Sequence, residues 1–151
     1  MRSIGILWNS MVEYNDLVLN DLYKLVKIKS YLDLDLKNNL SEFIFHVYES
    51  DLDIVKKRIR EKIKYTDGTY NLKIIRIIIM EIDDKMISDN KLEYIKYIKN
   101  FIRKKYSSLI DIYNYDNVFH MTEDKEEFDK IINALRFCYK ESNKLVLKKY
   151  N

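Results

Sequence analysis

Blocks of apolar residues separated by polar stretches predict the secondary structure of this chain. Residues 3–8 form a continuous apolar run of strand length, which is typical of a strand buried on both faces. Residues 72–82 form a longer run that is rich in isoleucine, and because β-branched residues favour strands we expect it at the centre of the sheet. Runs at 25–29 and 117–121 predict two more strands, and 144–149 predicts a short edge strand.

Between these runs, apolar residues recur every three or four positions, which is the period of an amphipathic helix. Helices are predicted over about residues 11–24, 52–65 and 91–106, with two more carrying the stripes Leu40–Val47 and Phe128–Leu135. Short polar side chains can cap such helices by accepting hydrogen bonds from free N–H groups. We therefore expect caps at Asn9 and Ser10, at Ser50 or Asp51, at residues 88–90, and at Thr122.

The order of strands and helices predicts an α/β fold in one domain over residues 1–151. We expect a three-layer sandwich with a mainly parallel sheet of four or five strands, in which the first two strands form a right-handed βαβ unit. The architecture would be Rossmann-like without a classical dinucleotide motif, because the chain has two glycines and no glycine-rich loop. A mostly helical fold stays open, since runs rich in Lys and Ile fit either element.

Composition says more about the source and the cellular compartment of this protein than about its function. Hydrophobic residues make up 47% and charged residues 34%, which is globular, and the abundance of Ile, Lys, Asn and Tyr indicates the AT-rich genome of a virus, a phage or a low-GC bacterium. A single cysteine excludes an internal disulfide and a cysteine zinc cluster, and fits a cytoplasmic setting. No apolar run approaches the roughly 20 residues that span a bilayer, so no membrane partner is expected.

Three strand ends carry the side chains that could do chemistry. In a parallel sheet, ligands bind beyond the carboxyl ends of the strands, so these groups would share one edge. His120 would act as an acid–base catalyst or phosphate contact. The carboxylates Asp83 and Asp84 would hold Mg²⁺. The predicted ligand-binding residues are Trp8, Asn9, Ser10 and Thr122.

Each of these residues also has a structural explanation. Trp8 suits a hydrophobic core, Asn9, Ser10 and Thr122 suit helix caps, the acidic pair suits a solvated turn, and His120 suits a strand end. The leading hypothesis is a small enzyme, a transferase or hydrolase, that handles a phosphate-containing small molecule or nucleotide. The alternative is a non-catalytic viral or phage interaction protein.

Two basic helices keep a nucleic-acid-binding module open as a third hypothesis. Lys56, Lys57, Arg60 and Lys64 lie away from the apolar stripe of their helix, and a second basic group lies within 96–105. Tyrosines interleave with both groups, and bases can stack on tyrosine while lysine and arginine hold phosphates. The net charge of +3 is too small to favour nucleic acid by itself, and most such stripes are solvated surface.

Overall fold

The fold is described from a computed structural model over residues 1–48, 56–66, 72–83, 90–110, 118–142 and 145–148. The strands are β1 (Arg2–Leu7), β2 (Lys27–Asp35), β3 (Ile74–Glu81), β4 (Phe119–Met121) and β5 (Leu145–Lys148). The helices are α1 (Asn15–Tyr23), α2 (Leu40–Tyr48), α3 (Lys56–Thr66), α4 (Lys91–Tyr106) and α5 (Lys125–Ser142). The second strand is longer than predicted. Asp84 and the predicted cap at Ser50 or Asp51 lie outside the described residues.

The five strands form one sheet in the order β4-β1-β3-β2-β5, and every neighbouring pair is antiparallel. The prediction of a mainly parallel, Rossmann-like sheet is therefore wrong. β1 and β2 do run in the same direction, as a βαβ unit requires, but β3 lies between them and pairs antiparallel with both. In the same way β1 separates β3 from β4. Two interleaved split βαβ units of this kind define the ferredoxin-like fold.

Helices cover both faces of the sheet. One core contains residues of α1 and α4, packed on Leu7, Ile78 and Met80. The other contains residues of α2, α3 and α5, packed on the alternate side chains of the same strands, such as Ile6 and Ile77. β3 is the middle strand, which confirms the predicted central position. No helix in the described ranges is long and apolar enough to cross a bilayer.

The helix starts differ from the predicted caps. Asn9 and Ser10 begin a 3₁₀ helix, Asn9–Tyr14, and α1 follows it only at Asn15. Asn90 does cap α4, since its side chain accepts a hydrogen bond from the Glu93 N–H. Asp124, rather than Thr122, precedes α5 and accepts a hydrogen bond from the Glu127 N–H. Short polar residues thus predicted the regions in which the helices begin. Which of them caps a helix depends on where the chain enters its first turn.

The single cysteine, Cys138, is buried in the core beneath α2 and α5, as a small packed side chain would be. Burial, with a smaller contribution from the nearby carboxylate of Glu42, raises the pKa of its thiol to about 11. Because the thiolate is the reactive form, this thiol is inert near neutral pH.

Candidate functional site

The antiparallel sheet separates the strand ends that a parallel sheet would have brought together. Trp8 follows the last residue of β1, and β4 begins beside it because Leu7 pairs with Phe119 and Ile6 with His120. Asp83 follows β3 at the opposite end of the sheet, where the Ile82 N–H donates to the carbonyl of Met1. Five residues of extended chain between Met1 and Ile6 span roughly 16 Å. Trp8 and His120 therefore lie near one end, and Asp83 lies near the other.

The Mg²⁺ assignment of Asp83 and Asp84 gains no support from this placement. Asp83 is exposed, and Asp84 lies outside the described residues. In the part of the chain that the structure describes, no three His, Cys, Asp or Glu side chains are grouped so that they could hold a metal ion.

His120 lies at the centre of β4, an edge strand of the sheet. Phe119 and Met121 point into the α1/α4 core, so His120 points toward the opposite face, because side chains alternate along a strand. There its imidazole meets the ring of Tyr48, the last residue of α2, edge to face: the centroids are 5.4 Å apart and the planes are 82° apart. His120 is partly exposed while Tyr48 is buried. The imidazole is therefore held by a packed ring and is still accessible.

Three contacts fix the position of β4. Gly5 of β1 faces Phe119, and a Cβ on Gly5 would lie 2.8 Å from the Phe119 ring, so the absence of a side chain permits this close approach. Arg103 of α4 donates from Nε to the Phe119 carbonyl at 3.0 Å. Beyond the strand, the Thr122 N–H donates to the Ile4 carbonyl at 2.9 Å. The backbone on either side of His120 is thus tied to two other elements.

Lys62 of α3 reaches the same tyrosine. Its Nζ lies 3.8 Å from the centroid of the Tyr48 ring, and the residue is only 7% exposed. A cation over the face of an aromatic ring is attracted by the negative π-face, which partly compensates the loss of hydration. We call Trp8, Tyr48, Lys62 and His120 the His120 cluster.

Trp8 completes the cluster from the core side. Its ring centroid lies 6.3 Å from that of Tyr48 and 6.1 Å from that of Phe43, and the residue is 1% exposed. Within the described residues its indole N–H has no hydrogen-bond acceptor. The packing shows how Trp8 supports Tyr48, while its predicted contact with a ligand stays a prediction.

The other predicted ligand contacts are buried polar groups near the ends of β1. Asn9 donates from Nδ2 to the Leu72 carbonyl at 2.9 Å, and Ser10 is 8% exposed. Thr122 is fully buried: its hydroxyl oxygen accepts from the Ile4 N–H at 2.9 Å and lies 3.1 Å from the Ser3 hydroxyl. These bonds give the Asn9 amide nitrogen and the Thr122 hydroxyl a structural role, and the binding of an anion by Asn9, Ser10 and Thr122 stays a prediction.

The start of α5, just after β4, is acidic and internally bonded. Glu123 accepts from the Lys99 ammonium, and its N–H donates to the Glu127 carboxylate at 2.7 Å. Burial raises the pKa of Glu127, and the neighbouring charges of Asp124 and Glu123 add to this, against the lowering by the Glu123 N–H. This helix start therefore already carries carboxylates where an anion could otherwise sit.

Sequence reasoning missed Tyr48 and Lys62. Tyr48 ends an apolar helix and looks like ordinary core. Lys62 lies within a strongly basic stretch, but it follows Ile59 by three residues and so shares its buried face, a spacing that could have revealed it. Neither residue could be connected with His120 before the packing of α2 and α3 was known.

Comparison with solved structures places this fold among those of nucleoside diphosphate kinases. An orthorhombic crystal form of the Aquifex aeolicus enzyme has a TM-score of 0.55 and 11% identity, over 89% of this chain and 93% of that one. A halophilic nucleoside diphosphate kinase from Halobacterium salinarum, in complex with CDP, has a TM-score of 0.54 and 12% identity, over 100% of this chain and 93% of that one. No protein-family model and no curated protein matches. At such identity the likeness shows the fold alone.

Proposed function

We propose that this protein is a nucleotide-binding phosphotransferase that works at the His120 cluster. The observation that carries the proposal is the partly exposed imidazole of His120, held edge-on by the buried ring of Tyr48 at the edge of the sheet. Support comes from the fold, which is shared along nearly the whole chain with enzymes named for phosphoryl transfer between nucleotides. A function comes from a site rather than a fold, so His120 is the residue to test.

An imidazole can serve phosphoryl transfer in two ways. As an acid–base group it would take a proton from the attacking hydroxyl or phosphate oxygen, typically contributing about 10²–10⁴-fold to the rate. As a nucleophile, its neutral nitrogen would form a bond to the terminal phosphorus of a nucleoside triphosphate. The bond from that phosphorus to the bridging oxygen would break, and the nucleoside diphosphate would leave with the electron pair. A second nucleoside diphosphate would then take the phosphoryl group from the imidazole.

The test compares three proteins: the wild type, His120→Asn, and His46→Asn as the matched control. The chain has two histidines, and His46 lies on α2 between the rings of Phe45 and Phe137, beside Glu42. We expect nucleoside di- and triphosphates with Mg²⁺ to raise the melting temperature of wild type and His46→Asn, because a ligand that binds the native state stabilises it. Phosphoryl transfer from a triphosphate to a second diphosphate should disappear in His120→Asn.

The fate of labelled phosphate separates the two chemical roles. Incubation with a triphosphate labelled in its terminal phosphate should leave acid-labile label on the wild type if His120 is the nucleophile, and no label on His120→Asn. Transfer without label on the protein would assign the acid–base role. If no nucleotide shifts the melting temperature of the wild type and no transfer is detected, the proposal is wrong.

The basic helices give weaker support to nucleic-acid binding. On α4, Lys99 pairs with Glu123, Lys105 pairs with Asp21, and Arg103 bonds to the backbone of β4, so these cations serve the fold. The aromatic rings of Tyr97 and Phe101 are nevertheless 53% and 37% exposed. Binding to single-stranded DNA or RNA at low salt, weakening linearly with the logarithm of salt concentration, would favour that function instead.

A further inference from the structure

Lys62 is the cation of the His120 cluster. Of its four side chains, Lys62 is the one whose ordinary form at neutral pH is a cation, because Trp8 and Tyr48 are neutral and a histidine that accepts a proton or a phosphoryl group must itself be neutral at that moment. A nucleoside di- or triphosphate brings several negative charges to the site. The cluster therefore holds one group suited to react and a different group suited to attract the phosphates.

The Tyr48 ring connects these two groups. Lys62 lies 3.8 Å from its centroid, over the face, while the imidazole of His120 lies 5.4 Å from the same centroid. The distance from the Lys62 ammonium to the centroid of the His120 imidazole therefore cannot exceed the sum of these two distances. An upper limit of that size allows one di- or triphosphate chain to contact both groups, and the long stem of lysine can shift the ammonium further toward a bound anion.

The burial of Lys62 strengthens its effect on an anion. The residue is 7% exposed, so its charge is screened less by water than that of a lysine on the surface. Its neighbours on the same face, Ile59 and Ile63, belong to the apolar side of α3. A lysine that merely solubilised this helix would lie on the opposite face, where Lys64 is exposed.

We propose that Lys62 holds the phosphate chain of a nucleoside di- or triphosphate and positions its terminal phosphate at His120. The inference rests on the proposed function and adds that the site selects its substrate by the number of phosphates. The ammonium donates to non-bridging phosphate oxygens as a charge-assisted hydrogen bond. Lys62 would thus bind the phosphates while His120 reacts with the terminal one. It lies on α3, which the sequence alone shows only as a basic helix.

The experiment measures binding of a nucleoside and of its mono-, di- and triphosphate by calorimetry. The proteins are wild type, Lys62→Met and Lys64→Met, the last an exposed lysine on the same helix. We expect wild type and Lys64→Met to bind more tightly with each added phosphate. Lys62→Met should lose about 10- to 100-fold in affinity for the di- and triphosphate, while its affinity for the nucleoside stays unchanged. Lys62→Arg should recover part of the loss, since it restores the charge.

The results distinguish a failure of the Lys62 role from a failure of the proposed function. If wild type binds no nucleotide, the proposed function fails and Lys62 has no role to play in it. If wild type binds and Lys62→Met binds the triphosphate equally well, or loses nucleoside and triphosphate alike, the role of Lys62 in holding phosphate is overturned while nucleotide binding stands. If Lys62→Met does not fold, the side-chain Cε resonance of Lys62 in labelled wild type should shift with the triphosphate and stay in place with the nucleoside. Equal shifts with both ligands would overturn the inference.

Discussion

The imidazole of His120 packs edge to face against the buried ring of Tyr48, with centroids 5.4 Å apart and planes 82° apart. His120 belongs to an edge strand and Tyr48 to the end of α2, so the contact joins residues 72 positions apart in the chain. Perpendicular aromatic pairs of this kind add about 0.5–1.5 kcal/mol beyond the area they bury. The orientation of the His120 imidazole thus depends on the packing of α2.

On the proposed function, this contact makes Tyr48 a positioning residue for His120. Tyr48→Leu should keep the fold with a loss of about 1–3 kcal/mol in the free energy of unfolding, and should lower the rate of phosphoryl transfer more than it weakens nucleotide binding. Tyr48→Phe retains the ring, so it should retain most of the rate. The measurement is kcat and KM for the three proteins beside their urea denaturation curves. Equal rates in Tyr48→Leu and wild type would show that the ring contact has no role in positioning His120.

The central strand offers a test of the fold. Ile77 of β3 is fully buried in the core beneath α2 and α5. Ile77→Asp places a carboxylate in that core, and because burying an unpaired charge costs several kcal/mol, we expect the variant to be unfolded at 25 °C. Ile77→Val should lose only about 0.5–1.5 kcal/mol. Circular dichroism with urea titration distinguishes them, and a cooperative, fully folded Ile77→Asp protein would be incompatible with this sheet.

A buried ion pair on the other face links β3 to β2 and α1. The guanidinium of Arg76 is 4% exposed and bonds bidentately to Asp33, with N–O distances of 2.6 and 2.9 Å, and once to Asp16 at 2.8 Å. Asp33 is 20% exposed and Asp16 is 87% exposed. Asp33→Asn should therefore cost about 3 kcal/mol in the free energy of unfolding, because it leaves a buried guanidinium without its main counter-charge.

Asp16→Asn is the matched control, since it removes a carboxylate from the same arginine at an exposed position. Asp16→Asn should lower the free energy of unfolding by less than about 1 kcal/mol. That amount includes the loss of a solvent-screened ion pair and of a favourable negative charge at the start of α1. Urea denaturation of both variants gives the comparison. A cost for Asp16→Asn equal to that of Asp33→Asn would mean that burial does not decide the strength of these bonds.

Asp21 should make the stability depend on acid pH. Its burial would raise the pKa, but hydrogen bonds from Lys105 and Tyr106, together with the lysine charges, outweigh this and lower the pKa. A carboxyl whose pKa is lowered by folding stabilises the native state above its ordinary value near about 4, and the contribution is lost as pH falls through the lower, folded value.

The melting temperature of wild type should therefore fall more steeply than that of Asp21→Asn below about pH 4, while wild type is the more stable of the two at neutral pH. Tyr106→Phe removes one of the donors and should show an intermediate slope. Parallel curves for wild type and Asp21→Asn over the whole acid range would contradict the lowered pKa.

The sequence by itself determined most of the local structure. Apolar runs placed β1, β3 and β4, helical spacing placed the helices, and the density of isoleucine put β3 at the centre of the sheet. It also located His120 on a short strand directly before a helix. These features depend on the period at which apolar side chains recur along each strand or helix, and that period can be read directly from the sequence.

Tertiary structure alone decided the direction and order of the strands. A strand buried on both faces has the same apolar run whether its neighbours are parallel or antiparallel, so the run at β3 did not reveal that it lies between β1 and β2. The antiparallel pairing of β1 with β4 brings Trp8 near His120, and the antiparallel pairing of β1 with β3 sends Asp83 to the far end of the sheet. Likewise, the spacing of Lys62 from Ile59 could indicate its burial, but only the packing of α3 on α2 places its ammonium over the ring of Tyr48.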